Sequence, residues 1–375
     1  MQIYEKVFFE ILRASLWKTS VVIPEGFTDW TNVMRLAKVQ ALTGLVADVS
    51  ISDPCVSELL PEDFIPKLNR IRIVNVSTYY RLSSTLIMVV TAMRKYGIEP
   101  VLLKGQSMAR NYPVPELRQC GDIDLYVGTA NYESSYEALK QIADEIDEPD
   151  ALTSDEKHFH AKIANSVIEV HKYADIHSSS TFNKIYQKYA DRGLSCNLVK
   201  MHFGDMDVSS PEDNFNAFYV FNHMWHHFMA GGVGLRQVCD WIMFLHSRAG
   251  KLDLDYLYAI LNEMKLLIPW QAFGCIAVDV LGLPAEEFPF YTTKYRSKAD
   301  KVLKRIMEEG NFGQQTAFVR KHQKGYLYEK LFSLKCHIER FFGMVTLFPR
   351  HAMMQVWYAV SSGIGRVFGD IFHRN

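Results

Sequence analysis

Apolar residues recur at two different periods along the chain, and the changes of period divide it into regions. Up to about residue 95 the spacing is the three- and four-residue spacing of amphipathic helices, as between Val7 and Leu12. A long helix is predicted from about Phe64 to Tyr96, where it meets the turn at Gly97. We therefore predict a helical N-terminal region over residues 1–96.

The pattern then becomes that of short strands. EPVLLKG, at residues 99–105, predicts an apolar strand that enters a glycine loop, and GDIDLYV, at residues 121–127, predicts a second strand. HFHAKI and SVIEVH predict two more strands, joined by a turn at Asn165-Ser166. We assign residues 97–208 to an α/β core.

Helical spacing returns in the last part of the chain, over residues 209–375. Ser210 and Pro211 predict the start of its first helix, with the serine as the cap and the proline at the first helical position. The predicted fold class is α+β, in which a small mixed β-sheet forms a core flanked by N-terminal and C-terminal helical regions.

Composition narrows the class of protein. The longest apolar stretch, residues 86–93, is far shorter than the ~20 residues that span a bilayer. The six cysteines form no Cys-x-x-Cys pair, which is typical of free thiols in a reducing compartment. We predict a cytoplasmic protein with no transmembrane segment, and the sequence leaves its oligomeric state open.

Charge is unevenly distributed, although the formal net charge is only -1. Residues 294–330 contain ten Lys/Arg and four Asp/Glu, and the last 45 residues contain five and two, with Trp357, Phe368 and Phe372 among them. The favoured interpretation is a solvated helix face. The alternative is a surface that binds nucleic acid, a lipid headgroup or another polyanion.

Three carboxylates in the core region indicate its chemistry. Side chains alternate along a strand, so Asp122 and Asp124 share one face, and Glu169, between Ile168 and Val170, lies on a polar face of its own strand. Carboxylates brought together repel unless a cation lies between them, and a divalent metal is the usual cation. The pattern therefore predicts phosphoryl or nucleotidyl transfer. Pairing of Glu169 with a lysine of the hairpin, Lys162 or Lys172, is the structural alternative.

The segment before the aspartates offers groups for phosphate. Gly105 lets a ligand approach the backbone closely, and Lys104 either binds phosphate or is a surface lysine at a strand end. Arg118 lies four residues before Asp122, where it neutralises either phosphate or the carboxylates.

These residues together resemble the DNA-polymerase-β-like nucleotidyltransferase superfamily, and within it a bacterial branch named simply nucleotidyltransferase family protein. The core of the resemblance is Leu103-Lys104-Gly105, Arg118, Asp122-Ile123-Asp124-Leu125 and Glu169-Val170-His171. It extends to His223, His227, Leu235, Arg236, Asp240 and Asn311-Phe312-Gly313, and so over nearly the whole chain.

The resemblance implies transfer of a nucleoside monophosphate from an NTP to an acceptor hydroxyl or phosphate, with release of pyrophosphate. The acceptor stays open among a small molecule, a protein and a polyanion. Two Mg²⁺ or Mn²⁺ ions would bind to Asp122, Asp124 and Glu169. The phosphates would bind to Lys104, Gly105, Ser107 and Arg118.

One position departs from the superfamily pattern. Gly105 is followed by Gln106, whereas better-known members have Gly-Ser or Gly-Gly, and the serine contacts the triphosphate. Either Ser107 or backbone amides would replace that contact, or triphosphate binding is altered. The alternative function is therefore a catalytically silent nucleotide-binding or regulatory partner protein with the same fold.

Further residues are predicted to line the substrate cleft: His171, His223, His227, Arg236 and Asp240. His223 and His227 have the helical spacing of a metal pair, but core histidines are the structural alternative. Arg236 and Asp240 are one helical turn apart, and an ion pair between them is the default expectation.

Overall fold

The computed structural model describes residues 1–147, 157–311 and 340–354. The α-helices are α1 (Ile3–Trp17), α2 (Trp30–Val39), α3 (Thr43–Ser52), α4 (Pro54–Ser57), α5 (Phe64–Arg94), α6 (Gln106–Ala109), α7 (Gly128–Lys140), α8 (Ser180–Gly193), α9 (Asp213–Ala230), α10 (Leu235–Ser247), α11 (Leu254–Glu263), α12 (Leu267–Cys275) and α13 (Arg296–Glu309). The strands are β1 (Val101–Leu102), β2 (Asp122–Tyr126), β3 (Glu145–Ile146), β4 (His158–Ile163), β5 (Ser166–His171), β6 (Val199–Phe203) and β7 (Met206–Ser210).

Two sequence predictions, the Asn311-Phe312-Gly313 element and the basic C-terminal segment, fall partly outside these ranges. Phe312, Gly313, Trp357, Phe368, Phe372 and much of the basic C-terminal segment lie outside the described residues. Within the described ranges, no helix combines the length and the apolar character needed to cross a membrane.

The strands form one mixed sheet in the order β3-β4-β5-β2-β1-β7-β6. β2 pairs with β5, and β1 with β7, in the parallel direction, while the other neighbours are antiparallel. This confirms the predicted α+β class, with a mixed sheet between helical flanks. The division into regions 1–96, 97–208 and 209–375 stays a prediction.

One face of the sheet is apolar and packs against α5 and α7. The strand residues buried there are Ile123, Leu125, Phe159, Ala161, Ile163, Ile168 and Val170. α5 meets them with residues at helical spacing, Leu82, Leu86, Val89, Val90 and Met93. Arg81 of α5 also donates to the carbonyl of Asn165 at 2.6 Å, which fixes the helix to the β4–β5 hairpin.

A second apolar core joins the N-terminal helices to those that follow the sheet. α9 supplies much of it through Phe215, Phe218, Phe221 and Phe228, which are fully buried. The other side of α9 lies over the polar face of the sheet, because His223 of α9 contacts Lys104, which follows β1, at 3.3 Å. The packing of α9 therefore encloses the predicted carboxylates.

Two predicted boundaries are wrong. The hairpin turn is formed by Ala164 and Asn165, which both have positive φ (49° and 57°), and Ser166 already pairs with Ile163. Ser166 belongs to the strand, and its hydroxyl bonds to Arg81 and Thr85 of α5 as well as, at 3.5 Å, to the carbonyl of Ala164. Likewise Ser210 ends β7, and α9 is capped by Glu212, whose carboxylate accepts from the N–H of Phe215 at 2.9 Å.

Candidate active site

The parallel pairing of β2 with β5 brings the predicted carboxylates onto one face. Asp124 lies directly beside Glu169, and Asp122 lies two residues earlier on β2, so all three side chains leave the sheet on the same side. Asp124 is only 3% exposed and Glu169 is 23% exposed. The two strands thus place the acidic groups together as the alternation predicts.

His171 bridges two of these carboxylates. Its Nε2 lies 2.9 Å from Oδ1 of Asp124 and 3.5 Å from Oε2 of Glu169. Oxygen and nitrogen atoms of these three residues lie within 4.8 Å of one another, which is close enough to share one metal ion. Lys104 reaches the same group, with its Nζ 2.9 Å from Oδ1 of Asp124.

The two aspartates have opposite electrostatic environments. Burial raises the pKa of Asp122, and the charge of Asp124 raises it further. Burial would also raise the pKa of Asp124, but Lys104 and His171 hold it well below its usual value. The hydrogen bond with His171 lowers the pKa of Glu169. The site is thus acidic with one ammonium group against it.

The outer side of Glu169 faces a further histidine rather than a lysine. His160, directly opposite on β4, has Nε2 3.6 Å from Oε1 of Glu169. Lys162 instead binds Glu145 at 2.9 Å. Lys172 lies over the ring of Tyr132. The structural alternative for Glu169, pairing with a hairpin lysine, is therefore not what the structure shows.

The glycine loop packs tightly against the first aspartate. Gly105 has φ +58°, and a Cβ there would lie 3.3 Å from the carbonyl oxygen of Asp122. Gln106 is turned away, donating to Ser83 of α5 at 2.9 Å. The hydroxyl of Ser107 donates to the carbonyl of Leu103 at 2.7 Å. In this conformation the Ser107 hydroxyl is engaged within the chain.

Two histidines of α9 adjoin Lys104. His223 and His227 are four residues apart, and their Nε2 atoms lie 3.0 Å from each other. Burial lowers the pKa of His223 well below its ordinary value, and Lys104 adds to that effect. Burial and Lys104 likewise lower the pKa of His227 to about 4. Both imidazoles are therefore neutral at pH 7.

Arg118 and Asp240 form a buried ion pair with each other. The guanidinium donates from Nε and Nη2 to the two carboxylate oxygens at 2.9 and 2.5 Å, and the hydroxyl of Tyr112 also donates to Asp240 at 2.8 Å. Both charged side chains are nearly inaccessible, at 6% and 7% exposed. This geometry fastens α10 to the segment that precedes β2.

The expected Arg236–Asp240 ion pair is not formed, because Asp240 is bound by Arg118. Arg236 donates to the carbonyl of Gln119 at 3.1 Å, and its Nε has no hydrogen-bond partner in the ranges that the structure describes. Among the described residues it forms no ion pair within 4.0 Å. Its charge nevertheless lowers the pKa of Asp122, and burial lowers its own pKa. Arg236 is a half-buried cation beside the acidic site.

A second cluster next to this site was not anticipated from the sequence. Asp175, in the segment after β5, has Oδ2 2.7 Å from Nδ1 of His226, and Nε2 of His226 lies 3.2 Å from Nδ1 of His177. Lys157 donates to the other oxygen of Asp175 at 2.6 Å. The sequence signal for this cluster is the i, i+4 spacing of Asn222 and His226, which places both side chains on one face of α9. In the structure both side chains contact Asp175.

The structure thus groups most of the predicted residues and separates a few. The groups assembled around the acidic face are Lys104, Gly105, Asp122, Asp124, Glu169, His171, His223, His227 and Arg236. Arg118, Asp240 and the Ser107 hydroxyl are engaged in internal bonds.

Comparison with known proteins agrees with this arrangement. A family described as uncharacterised nucleotidyltransferase matches residues 27–282, about two thirds of the 375-residue chain. No curated protein and no solved structure matches the chain. The matched range includes the whole sheet, the three carboxylates and α9. The chain therefore belongs to this family of nucleotidyltransferases and is a transferase of that general kind.

Proposed function

We propose that the protein transfers a nucleoside monophosphate from an NTP to an acceptor hydroxyl or phosphate and releases pyrophosphate, with divalent metal as cofactor. The observation that carries the proposal is the alignment of Asp124 with Glu169 on parallel strands, with Asp122 on the same face. Membership of a nucleotidyltransferase family supports it. The acceptor is a small molecule, a protein or a polyanion.

The donor set fits a hard divalent cation. Asp122, Asp124 and Glu169 supply carboxylate oxygens, which Mg²⁺ and Mn²⁺ prefer. Burial, and then the charge of Asp124, raise the pKa of Asp122, so a bound cation would favour the ionised form of that carboxyl. A pair of such ions would lower the pKa of the attacking hydroxyl and stabilise the leaving pyrophosphate.

Lys104 and Arg236 are the cations best placed for the triphosphate. Lys104 is bound to Asp124 at 2.9 Å and can exchange that carboxylate for a phosphate oxygen. Within the described part of the chain, Nε of Arg236 has no hydrogen-bond partner and its guanidinium forms no ion pair. Gly105 allows the phosphates to approach the backbone. We therefore assign to Arg236 the phosphate contact that the sequence suggested for Arg118, and we give Arg118 a positioning role.

His171 would hold the carboxylates in place. Its Nε2 contacts both Asp124 and Glu169, so the ring fixes their separation on adjacent strands. His223 accepts a hydrogen bond from Lys104, which orients the ammonium group toward the sheet. These two histidines act on the geometry of the site. The carboxylates would hold the metal ions, and the reacting groups are the acceptor hydroxyl or phosphate and the NTP.

The test is calorimetric titration of the wild type with each NTP in the presence of Mg²⁺, followed by a pyrophosphate-release assay with candidate acceptors. Asp122→Asn combined with Asp124→Asn is expected to abolish Mg²⁺-dependent binding and release. Asp205→Asn, an exposed acid in the β6–β7 turn, is the matched control and should behave like the wild type.

Arg236→Met tests the proposed phosphate contact. Loss of a buried charge contact to a ligand typically costs about 2–5 kcal/mol, so NTP binding should weaken by about 30-fold or more. Identical NTP binding by the wild type and the double Asn variant would overturn the metal-site proposal. Tight NTP binding without pyrophosphate release for any acceptor would favour the alternative, a silent nucleotide-binding partner protein.

A further inference from the structure

The geometry points to a second, separate metal site, which binds Zn²⁺ or a similar transition-metal ion through Nε2 of His226 and Nδ1 of His177, with Asp175 as the orienting carboxylate. This site lies in the second cluster and shares no residue with the three catalytic carboxylates. It does not depend on the proposed function.

The distance between the two nitrogens is the first argument. Nε2 of His226 and Nδ1 of His177 are 3.2 Å apart. Two imidazole nitrogens on one tetrahedral zinc lie about 3.3 Å apart, because each is about 2.0–2.1 Å from the ion. The ring planes are inclined at 66°, so the rings meet at an edge rather than stack.

The carboxylate behind His226 is the second argument. Metal-binding histidines nearly always donate their other ring N–H to a carboxylate or carbonyl group, which fixes the tautomer and the ring orientation. Nδ1 of His226 lies 2.7 Å from Oδ2 of Asp175 in this manner. Asp175 is itself held by Lys157, by Asn222 and by the N–H of Ile176. The orienting group is thus rigid before any ion binds.

The proximity of the possible ligand atoms is the third argument. Ligand atoms of Asp175, His177 and His226 all lie within 4.8 Å of one another. His226 is 32% exposed, which leaves the ion accessible from solvent for its remaining ligands.

An ion at this position would connect two parts of the fold. His177 precedes α8 and follows β5, whereas His226 belongs to α9, which also carries His223. Zinc would therefore brace α9 over the acidic face of the sheet, and its binding should raise the thermal midpoint of the protein.

The test uses full-length, tag-free protein that has been stripped with a chelator and then titrated with Zn²⁺, and with Co²⁺ as a spectroscopic probe. The wild type should bind one Zn²⁺ per chain by elemental analysis. His177→Ala and His226→Ala should each lose that ion. Asp175→Asn should weaken binding by about 10–100-fold, the usual effect of removing an orienting partner.

Three controls locate the ion. Asp122→Asn with Asp124→Asn removes the acidic site and should leave zinc binding unchanged. His160→Ala tests the other histidine group, with His158 and Glu169, and should also retain the ion. His202→Ala removes an exposed histidine far from both groups in the chain. Retention of zinc by folded His177→Ala and His226→Ala, or its loss in His160→Ala, would overturn the proposal. Should His226→Ala not fold, His177→Ala and Asp175→Asn decide the question.

Discussion

At the scale of single residues, the polar interior beneath α9 is unusual for its neutral histidines. His177, His223 and His227 all have pKa values below the ordinary value because of burial, and Lys104 contributes for the last two. Such groups keep lone pairs available at pH 7, but burying them uncharged makes the folded state sensitive to acid.

This sensitivity can be predicted with its sign. Between the ordinary pKa of 6.5 and the folded pKa, about 3 for His177 and about 4 for His227, the unfolded chain binds protons that the folded protein does not. The free energy of unfolding should therefore fall as pH decreases from 6.5, by at most about 1.4 kcal/mol per pH unit for each histidine. Urea unfolding with EDTA at pH 7.5, 6 and 5 measures it.

The buried carboxylate Asp175 affects stability in a different pH range. The pKa of Asp175 is held well below its usual value by His226 and Lys157, despite burial. Its contribution to the free energy of unfolding is therefore present above about pH 3.9 and is lost only at lower pH.

Two variants test the histidine prediction. His177→Gln and His227→Gln should each reduce the pH dependence of the free energy of unfolding between pH 6.5 and 5. His202→Gln, an exposed histidine, should leave it unchanged. Equal slopes in all four proteins would contradict the assignment of neutral buried imidazoles.

Residue pairing also shows where sequence reasoning ends. Strand alternation was sufficient to place Asp122, Asp124 and Glu169 on one face, because it depends only on local geometry. The partner of Asp240 depended on tertiary packing, since Arg118 is 122 positions away in the chain. Local helical spacing predicts that Asp240 pairs with Arg236 at i−4. Asp240 instead pairs with Arg118, which binds both of its carboxylate oxygens.

At the scale of elements, the Arg118–Asp240 pair is the link between α10 and the segment before β2. Breaking a buried pair by removing one partner leaves an uncompensated charge, which typically costs about 3–5 kcal/mol. Arg118→Met should lower the free energy of unfolding by that amount, as measured by urea denaturation. If Arg118 only positions other groups, the KM for the NTP should stay close to the wild-type value although the free energy of unfolding falls.

Lys67→Met offers a matched comparison for this pair. Lys67 binds Asp63 at 2.6 Å on the surface of α5, where both side chains are about two thirds exposed. That substitution should leave the unfolding midpoint where it is, because solvent screens exposed pairs. If Arg118→Met were no more destabilising than Lys67→Met, the link would be refuted. Arg118→Met combined with Asp240→Asn should cost less than the sum of the single changes.

Element boundaries were predictable only where side chains decide them. α5 is predicted from Phe64 to Tyr96 and spans Phe64–Arg94 in the structure. The prediction is close because the apolar spacing of the helix and the following Gly97 can both be read from the sequence. The hairpin turn was placed one residue late. Ala164 adopts positive φ in the structure, which its residue type does not favour, and the contacts of Ser166 with α5 draw that residue into the strand.

At the scale of the whole molecule, α5 belongs physically to the sheet although it precedes it in the chain. It covers the apolar face that contains Ile123 and Ile168. We therefore expect residues 97–208 alone to lack a cooperative unfolding transition, because that face would be exposed to water. Residues 64–208, which add α5, should recover the transition.

Circular dichroism during thermal unfolding compares the two fragments directly. A sharp transition in the shorter fragment would show that the sheet is independent of α5 and would favour a boundary near residue 97. No transition in the longer one would mean that α9 is required as well. Composition alone could not reveal this dependence, because the seam of α5 reads as an ordinary amphipathic helix.

The parallel pairing of β2 with β5 has one further consequence, for how the chain can vary in length. The positions of Asp124 and Glu169 relative to each other are set by apolar neighbours, Ile123 beside Ile168 and Leu125 beside Val170, and not by the number of residues that connect the strands. Insertions or deletions between the two strands should therefore leave the carboxylates aligned. A shift of one strand by a single residue would instead turn Glu169 into the apolar layer. Burial of the apolar face of β2 and β5 therefore fixes the alignment of the carboxylates on the opposite face.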